Sequence, residues 1–96
     1  MTGGFTVFTT TGFRRLSRSL QKQHQEFSRV QEEAFAALRS DPYNRARRYQ
    51  IKKLENVAPG SGQFRLRVGR WRFRYDIEGR EAVLYYCGLR REDTYK

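Results

Sequence analysis

The 96-residue chain carries 20 lysines and arginines against 10 acidic residues, and the net charge of +10 points to nucleic acid, an anionic surface or an acidic protein as partner. One domain over 1–96 fits this length, with 38% hydrophobic and 15% aromatic residues for a core built on a few large rings, and a separate cofactor domain is excluded. A single cysteine rules out an internal disulfide, the start MTGGFTVFTTTG has no secretory pattern, and no stretch reaches membrane-span length, so a cytoplasmic protein without a membrane partner is expected.

Phe5 to Thr10 (FTVFTT) is β-branched and aromatic and reads as a first strand. Thr9-Thr10-Thr11 supplies N-cap hydroxyls. From Phe13 the apolar period changes, and Phe13, Leu16 and Leu20 fall on one helical face. A turn is expected over Gln21 to Gln25, with His24 solvated in it. Phe27, Val30, Ala34, Ala37 and Leu38 form a second stripe reaching about Arg39. Ser40-Asp41-Pro42 stops it, because the residue before proline is driven out of the helical region. The two helices read as a hairpin laid over a sheet.

Residues 43–49 (YNRARRY) form a basic connector, and Ile51 to Leu54 could pair briefly as a sheet edge. Asn56 to Gln63 (NVAPGSGQ) is a loop. A hairpin follows over Gln63 to Tyr75, then a turn at Glu78 to Glu81. Ala82 to Leu89 (AVLYYCGL) is almost continuously apolar, as expected of a central strand covered on both faces, with Cys87 a small buried hydrophobe. The order is βααβββ: an α+β domain with a helical hairpin on one face of a small, mainly antiparallel sheet.

The hairpin QFRLRVGRWRFRY carries the functional signal. Gly69-Arg70 suits a two-residue type II′ turn, which pairs Val68 with Trp71, Arg67 with Arg72, Leu66 with Phe73 and Arg65 with Arg74. One face is then apolar. The other holds four guanidinium groups in two opposed like-charge pairs, an unfavourable arrangement in an ordinary sheet. Two readings stand: a solvated arginine face, or an anion site where phosphate oxygens relieve the repulsion.

There is no Cys/His cluster for zinc, no P-loop, no dinucleotide fingerprint and no gathering of acidic residues for a divalent metal. Arginine, lysine and tyrosine remain. These suffice for metal-free RNA cleavage, in which fixed guanidinium groups meet the charge of a pentavalent phosphate and a tyrosine stacks a base to hold the scissile bond in line.

A helix ending in Leu38 before Asp41-Pro42, Lys53-Leu54 ahead of a Gly-rich loop, FRLRVGRWRFRY and a terminal RREDTY together resemble the RelE/ParE superfamily of bacterial toxins, in the family's order and over nearly the whole chain. The resemblance implies one of two activities. RelE-type members are endoribonucleases that cut mRNA in the ribosomal A site without metal or cofactor, whereas ParE-type members inhibit DNA gyrase. Both are neutralised by an acidic cognate antitoxin. By position, Arg65 and Arg67 match two basic residues, usually lysines, on the second strand of RelE-type enzymes. Arg72 matches the transition-state arginine, Arg90 or Arg91 the basic residue proposed as a general acid, and Tyr95 the base-stacking tyrosine. Lys52, Lys53, Arg74, Arg47 and Arg48 are expected to contact RNA, the ribosome or the antitoxin. Arginines in place of lysines cannot serve as bases, which leaves Asp93, Glu92, a tyrosinate or water for that role. A basic RNA-binding module without toxicity is the third alternative.

Overall fold

The computed structural model describes residues 4–89. Its elements are β1 (Thr6–Thr9), α1 (Thr11–Gln23), α2 (Phe27–Ser40), β2 (Gln50–Lys53), β3 (Phe64–Val68), β4 (Trp71–Glu78) and β5 (Glu81–Leu89). The five strands form one sheet in the order β1-β5-β4-β3-β2. β1 runs parallel to β5 and the other pairs are antiparallel. The expected α+β architecture stands. The stretch expected to pair briefly as an edge forms the short edge strand β2, the first of four strands after the helices, so the order is βααββββ.

Thr10 starts α1. Its hydroxyl accepts the Phe13 N–H at 3.1 Å and donates to the Leu84 carbonyl at 3.1 Å, so one side chain caps the helix and ties it to β5. The buried stripe of α1 differs from the expected one. Leu16 is exposed, and Ser17 is buried in its place. The register is Phe13, Ser17, Leu20, an i, i+4, i+7 face. The Ser17 hydroxyl donates to Gln31 Oε1 and accepts from Gln21 Nε2, so its burial leaves no polar atom orphaned. His24 also departs from expectation: it caps α1, with its half-buried ring edge-on to Trp71 at 5.0 Å.

α2 ends at Asp41, whose φ of −159° and ψ of 68° fit a residue before proline. The Asp41 carboxylate then accepts the N–H groups of Arg45 and Ala46, each at 2.9 Å. Burial pushes its pKa up, but those N–H groups and the Arg45 charge outweigh it and hold the carboxyl below its ordinary range. The Asn44 amide brackets the backbone N–H and C=O of Tyr49. The connector is therefore a fixed turn.

The core lies between the helices and one face of the sheet. Phe13, Phe27, Val30, Ala34, Ala37 and Leu38 meet Leu66, Trp71, Phe73, Tyr75, Ala82, Leu84 and Cys87. The Phe27 ring stands 5.0 Å from Trp71 and 6.1 Å from Phe73. The Tyr75 phenol donates to the Pro42 carbonyl at 2.6 Å, satisfying a buried hydroxyl and clamping β4 to the end of α2. All of these sheet residues share one face.

β5 corrects a second expectation. It is paired on both edges, as an interior strand should be, but among the described residues only one of its faces is covered. The register slips between Arg74 and Tyr75, so that Arg74 pairs with Tyr86 and Tyr75 with Leu84, leaving Tyr85 as a bulge. The bulge inverts the parity. Ala82 and Leu84 face the core before it and Cys87 after it, while Tyr86 is 41% exposed on the open face.

Candidate nucleic-acid interface

The hairpin register is the one its alternation predicts: Arg65 opposite Arg74, Leu66 opposite Phe73, Arg67 opposite Arg72 and Val68 opposite Trp71. Gly69 turns it with φ of +59°, and Arg70 stays at negative φ, as a type II′ turn requires. Parity then places all four arginines on the face away from the helices.

The neighbouring strands extend these pairs into two cross-strand rows. One runs Gln50, Arg67, Arg72, Gly88 and the other Lys52, Arg65, Arg74, Tyr86. Residues two apart along a strand put the rows about 7 Å from each other. Lys52 thus joins the arginines. Lys53 does not: it pairs with Phe64, and its ammonium lies 5.8 Å from that ring's centroid on the opposite side of the sheet.

Each of the four arginines is half-buried. Arg67 Nε and Arg72 Nε are buried and have no hydrogen-bond partner among the described residues. Buried polar groups in folded proteins are overwhelmingly paired, and an unpaired donor on a cation is costly. The two guanidinium groups, set opposite each other on adjacent strands, present like charge to the open face, an arrangement suited to an anion.

Arg74 is engaged otherwise. Its Nε and Nη2 both donate to the Gly62 carbonyl, at 3.1 and 2.9 Å. Asp76, next on the same face, spends its carboxylate on the N–H groups of Gly60 and Gln63, at 2.5 and 2.6 Å. Together they fold the 54–63 loop against one end of the basic face. A groove of about 560 Å³ runs there between Lys52, Glu55, Val57 and Arg74. Arg48 borders a second cavity of about 200 Å³, which lies at the β2 edge between α2 (Glu33, Ala37) and β3 (Leu66, Arg67). Arg47 is exposed in the connector at φ +57°, outside both rows.

The protonation of nearby groups limits acid–base chemistry. Burial, and then the Asp41 charge, push the Tyr75 phenol well above its ordinary range, and it points into the core. Burial pushes the Cys87 thiol up to about 12. The Tyr85 phenol is also raised, by burial and then by Asp76 and Glu78. A depressed tyrosinate is therefore not to be found at Tyr75 or Tyr85. Among the described residues no group of three or more His, Cys, Asp or Glu could hold a metal ion. Arg90, Arg91 and Tyr95 lie outside the described residues, as do Glu92 and Asp93.

No protein-family profile and no curated protein matches the sequence. Among solved structures, the chain is similar to the toxin–antitoxin complex RelBE2 from Mycobacterium tuberculosis, with a TM-score of 0.69 and 27% identity over 91% of this chain and 99% of the other. The chain has the RelE-type toxin fold.

On this RelE-type sheet the open face holds two residues that the sequence pattern did not bring forward. Strict alternation from Ala82 and Leu84 sends Tyr86 into the core, and the bulge at Tyr85 turns it outward instead. Gly88 lies two residues on, across from Arg72. The mismatched parity of Ala82 and Leu84 with Cys87 and Leu89 was the available signal.

Proposed function

We propose that this chain is the toxin of a type II toxin–antitoxin module and acts as a metal-independent endoribonuclease on mRNA, in the ribosomal A site. The likeness to a toxin–antitoxin complex supports the first part. The observation that carries the second is the Arg67–Arg72 cross-strand pair, two like charges set opposite each other on the open face, each with a buried Nε that has no hydrogen-bond partner among the described residues. A scissile phosphate between them receives two charge-assisted contacts that strengthen as negative charge builds on its oxygens. The 2′-oxygen forms a bond to phosphorus as the bond to the 5′-oxygen breaks, leaving a 2′,3′-cyclic phosphate and a 5′-hydroxyl. The 2′-proton leaves to water or to a tail carboxylate, Glu92 or Asp93, because guanidinium stays protonated. The leaving 5′-oxygen takes its proton from water or from that tail carboxyl, with Arg90 or Arg91 donating a hydrogen bond to it, and Tyr95 stacks a base. Lys52, Arg48 and Arg47 carry contacts to RNA along the ends of the face. An acidic antitoxin fits the +10 charge.

Primer extension on cellular mRNA after induction tests this reading. The wild type gives stops within translated codons, and Arg72→Ala combined with Tyr95→Ala gives none while remaining folded. Undiminished cleavage by the double variant contradicts it. Blocked supercoiling by purified gyrase, with translation intact, would replace it with the ParE-type activity.

A further inference from the structure

Tyr86 occupies an unusual position for a large aromatic residue. It sits on an interior strand, at the end of the row Lys52, Arg65, Arg74, Tyr86, and yet it is 41% exposed. Its side chain lies along β5 over Gly88. A Cβ added at Gly88 would overlap the Tyr86 phenol oxygen and ring, and all three of the nearest heavy atoms belong to Tyr86. Gly88 does not have positive φ, so the backbone does not demand glycine there. The missing side chain is what lets the ring approach so closely, and a Cβ there would have to push the ring aside. Tyr86 is thereby laid down across the strand beside Arg72, the register partner of Gly88.

The geometry points to Tyr86 as a nucleobase-stacking shelf: a base of single-stranded RNA rests on its outward ring face while the adjoining phosphate sits between Arg67 and Arg72. This rests on the RNA reading above and adds a contact to it. Adjacent strands lie about 4.8 Å apart, a separation that one nucleotide bridges between its base and its phosphate. A phenol ring offers a π-face to any base, so the shelf positions the chain without reading sequence. Gly88 is a positioning residue, because its empty side holds the ring down.

The test is equilibrium binding of the full chain to a short 2′-O-methyl RNA, which cannot be cleaved, carrying one fluorescent 2-aminopurine. A matched oligonucleotide has an abasic site in place of that base. Tyr86→Ala is expected to weaken binding of the base-bearing RNA about tenfold and to abolish the fluorescence quench. Tyr86→Phe stays within about twofold of the wild type, and the abasic RNA binds wild type and Tyr86→Ala alike. Gly88→Ala, which leaves the tyrosine present but lifts it, reproduces the Tyr86→Ala result. Wild-type affinity and quench in Tyr86→Ala would overturn the shelf while leaving the RNA reading in place. A wild-type chain that binds neither RNA would overturn both.

Discussion

The two faces of the β3–β4 hairpin are made by alternate residues of the same strands, and they obey opposite rules. On the inner face Leu66, Trp71, Phe73 and Tyr75 are buried, and the one phenol among them has its hydrogen bond. On the outer face like charges are set opposite each other, and two buried guanidinium donors, Arg67 Nε and Arg72 Nε, have no partner among the described residues. A face shaped for stability alone would interleave lysine or arginine with acidic residues. The only carboxylate that β4 places beside these arginines, Asp76, is turned to the 54–63 loop instead. The comparison teaches that one parity holds the fold together and the other is held ready for an anion at some cost to the fold.

The sharpest break of that comparison comes from exchanging which face is damaged. Phe73→Ala should lower unfolding free energy by about 3–5 kcal/mol in urea titrations, a large share of the roughly 5–15 kcal/mol typical of a domain. Arg72→Ala, its neighbour on the other face, should leave stability within about 0.5 kcal/mol and reduce single-turnover RNA cleavage about 10²–10³-fold. Comparable destabilisation by both would mean that the faces are not separable.

Alkaline unfolding probes the buried phenol and thiol of the inner face. The Tyr75 phenol and Cys87 thiol hold their protons more tightly in the folded chain than at their ordinary values of 10.0 and 9.0. Their contribution is whole below pH 9 and is lost as pH rises toward the folded values, about 12 for the thiol. Each group costs about 1.4 kcal/mol per pH unit within its window. Cys87→Ala should flatten the decline between pH 9 and 10, read from urea midpoints; an unchanged slope would contradict the assignment.

The smallest effect separates two consecutive lysines. Lys52→Ala should weaken RNA binding a few-fold and reduce the salt slope by about 0.7 for single strands. Lys53→Ala, on the opposite side of the strand, should change neither. Equal effects would show that β2 is not registered with the basic rows.

How far this was legible in the sequence follows from where period and turn chemistry are strict. The hairpin register could be read residue by residue because Gly69-Arg70 sets the phase and the alternation on both strands repeats it over five cross-strand pairs. The end of α2 was equally readable from Asp41-Pro42. In helix α1 the apolar period finds Phe13 and Leu20 but favours Leu16 over Ser17, since leucine outweighs serine on any hydropathy scale and the Gln31 partner that makes Ser17 tolerable comes from another helix. β5 was read as covered on both faces, because a bulge shifts phase without changing composition. That same bulge hid Tyr86. That the Arg67 and Arg72 donors find no partner among the described residues is not legible in the sequence at all, since it depends on what the strands' neighbours leave uncovered.

Thermal unfolding of the wild type and Arg72→Gln, each with and without an excess of a 2′-O-methyl RNA, tests the central claim most directly. The account predicts that the free variant melts within about 2 °C of the wild type or above it, because a like-charge pair is relieved. RNA at about 100 times its Kd should stabilise the wild type by roughly 2.7 kcal/mol, about 10–20 °C for a chain of this size, and leave the variant unmoved. A variant that melts more than about 5 °C lower on its own, yet keeps the full shift with RNA, would contradict it.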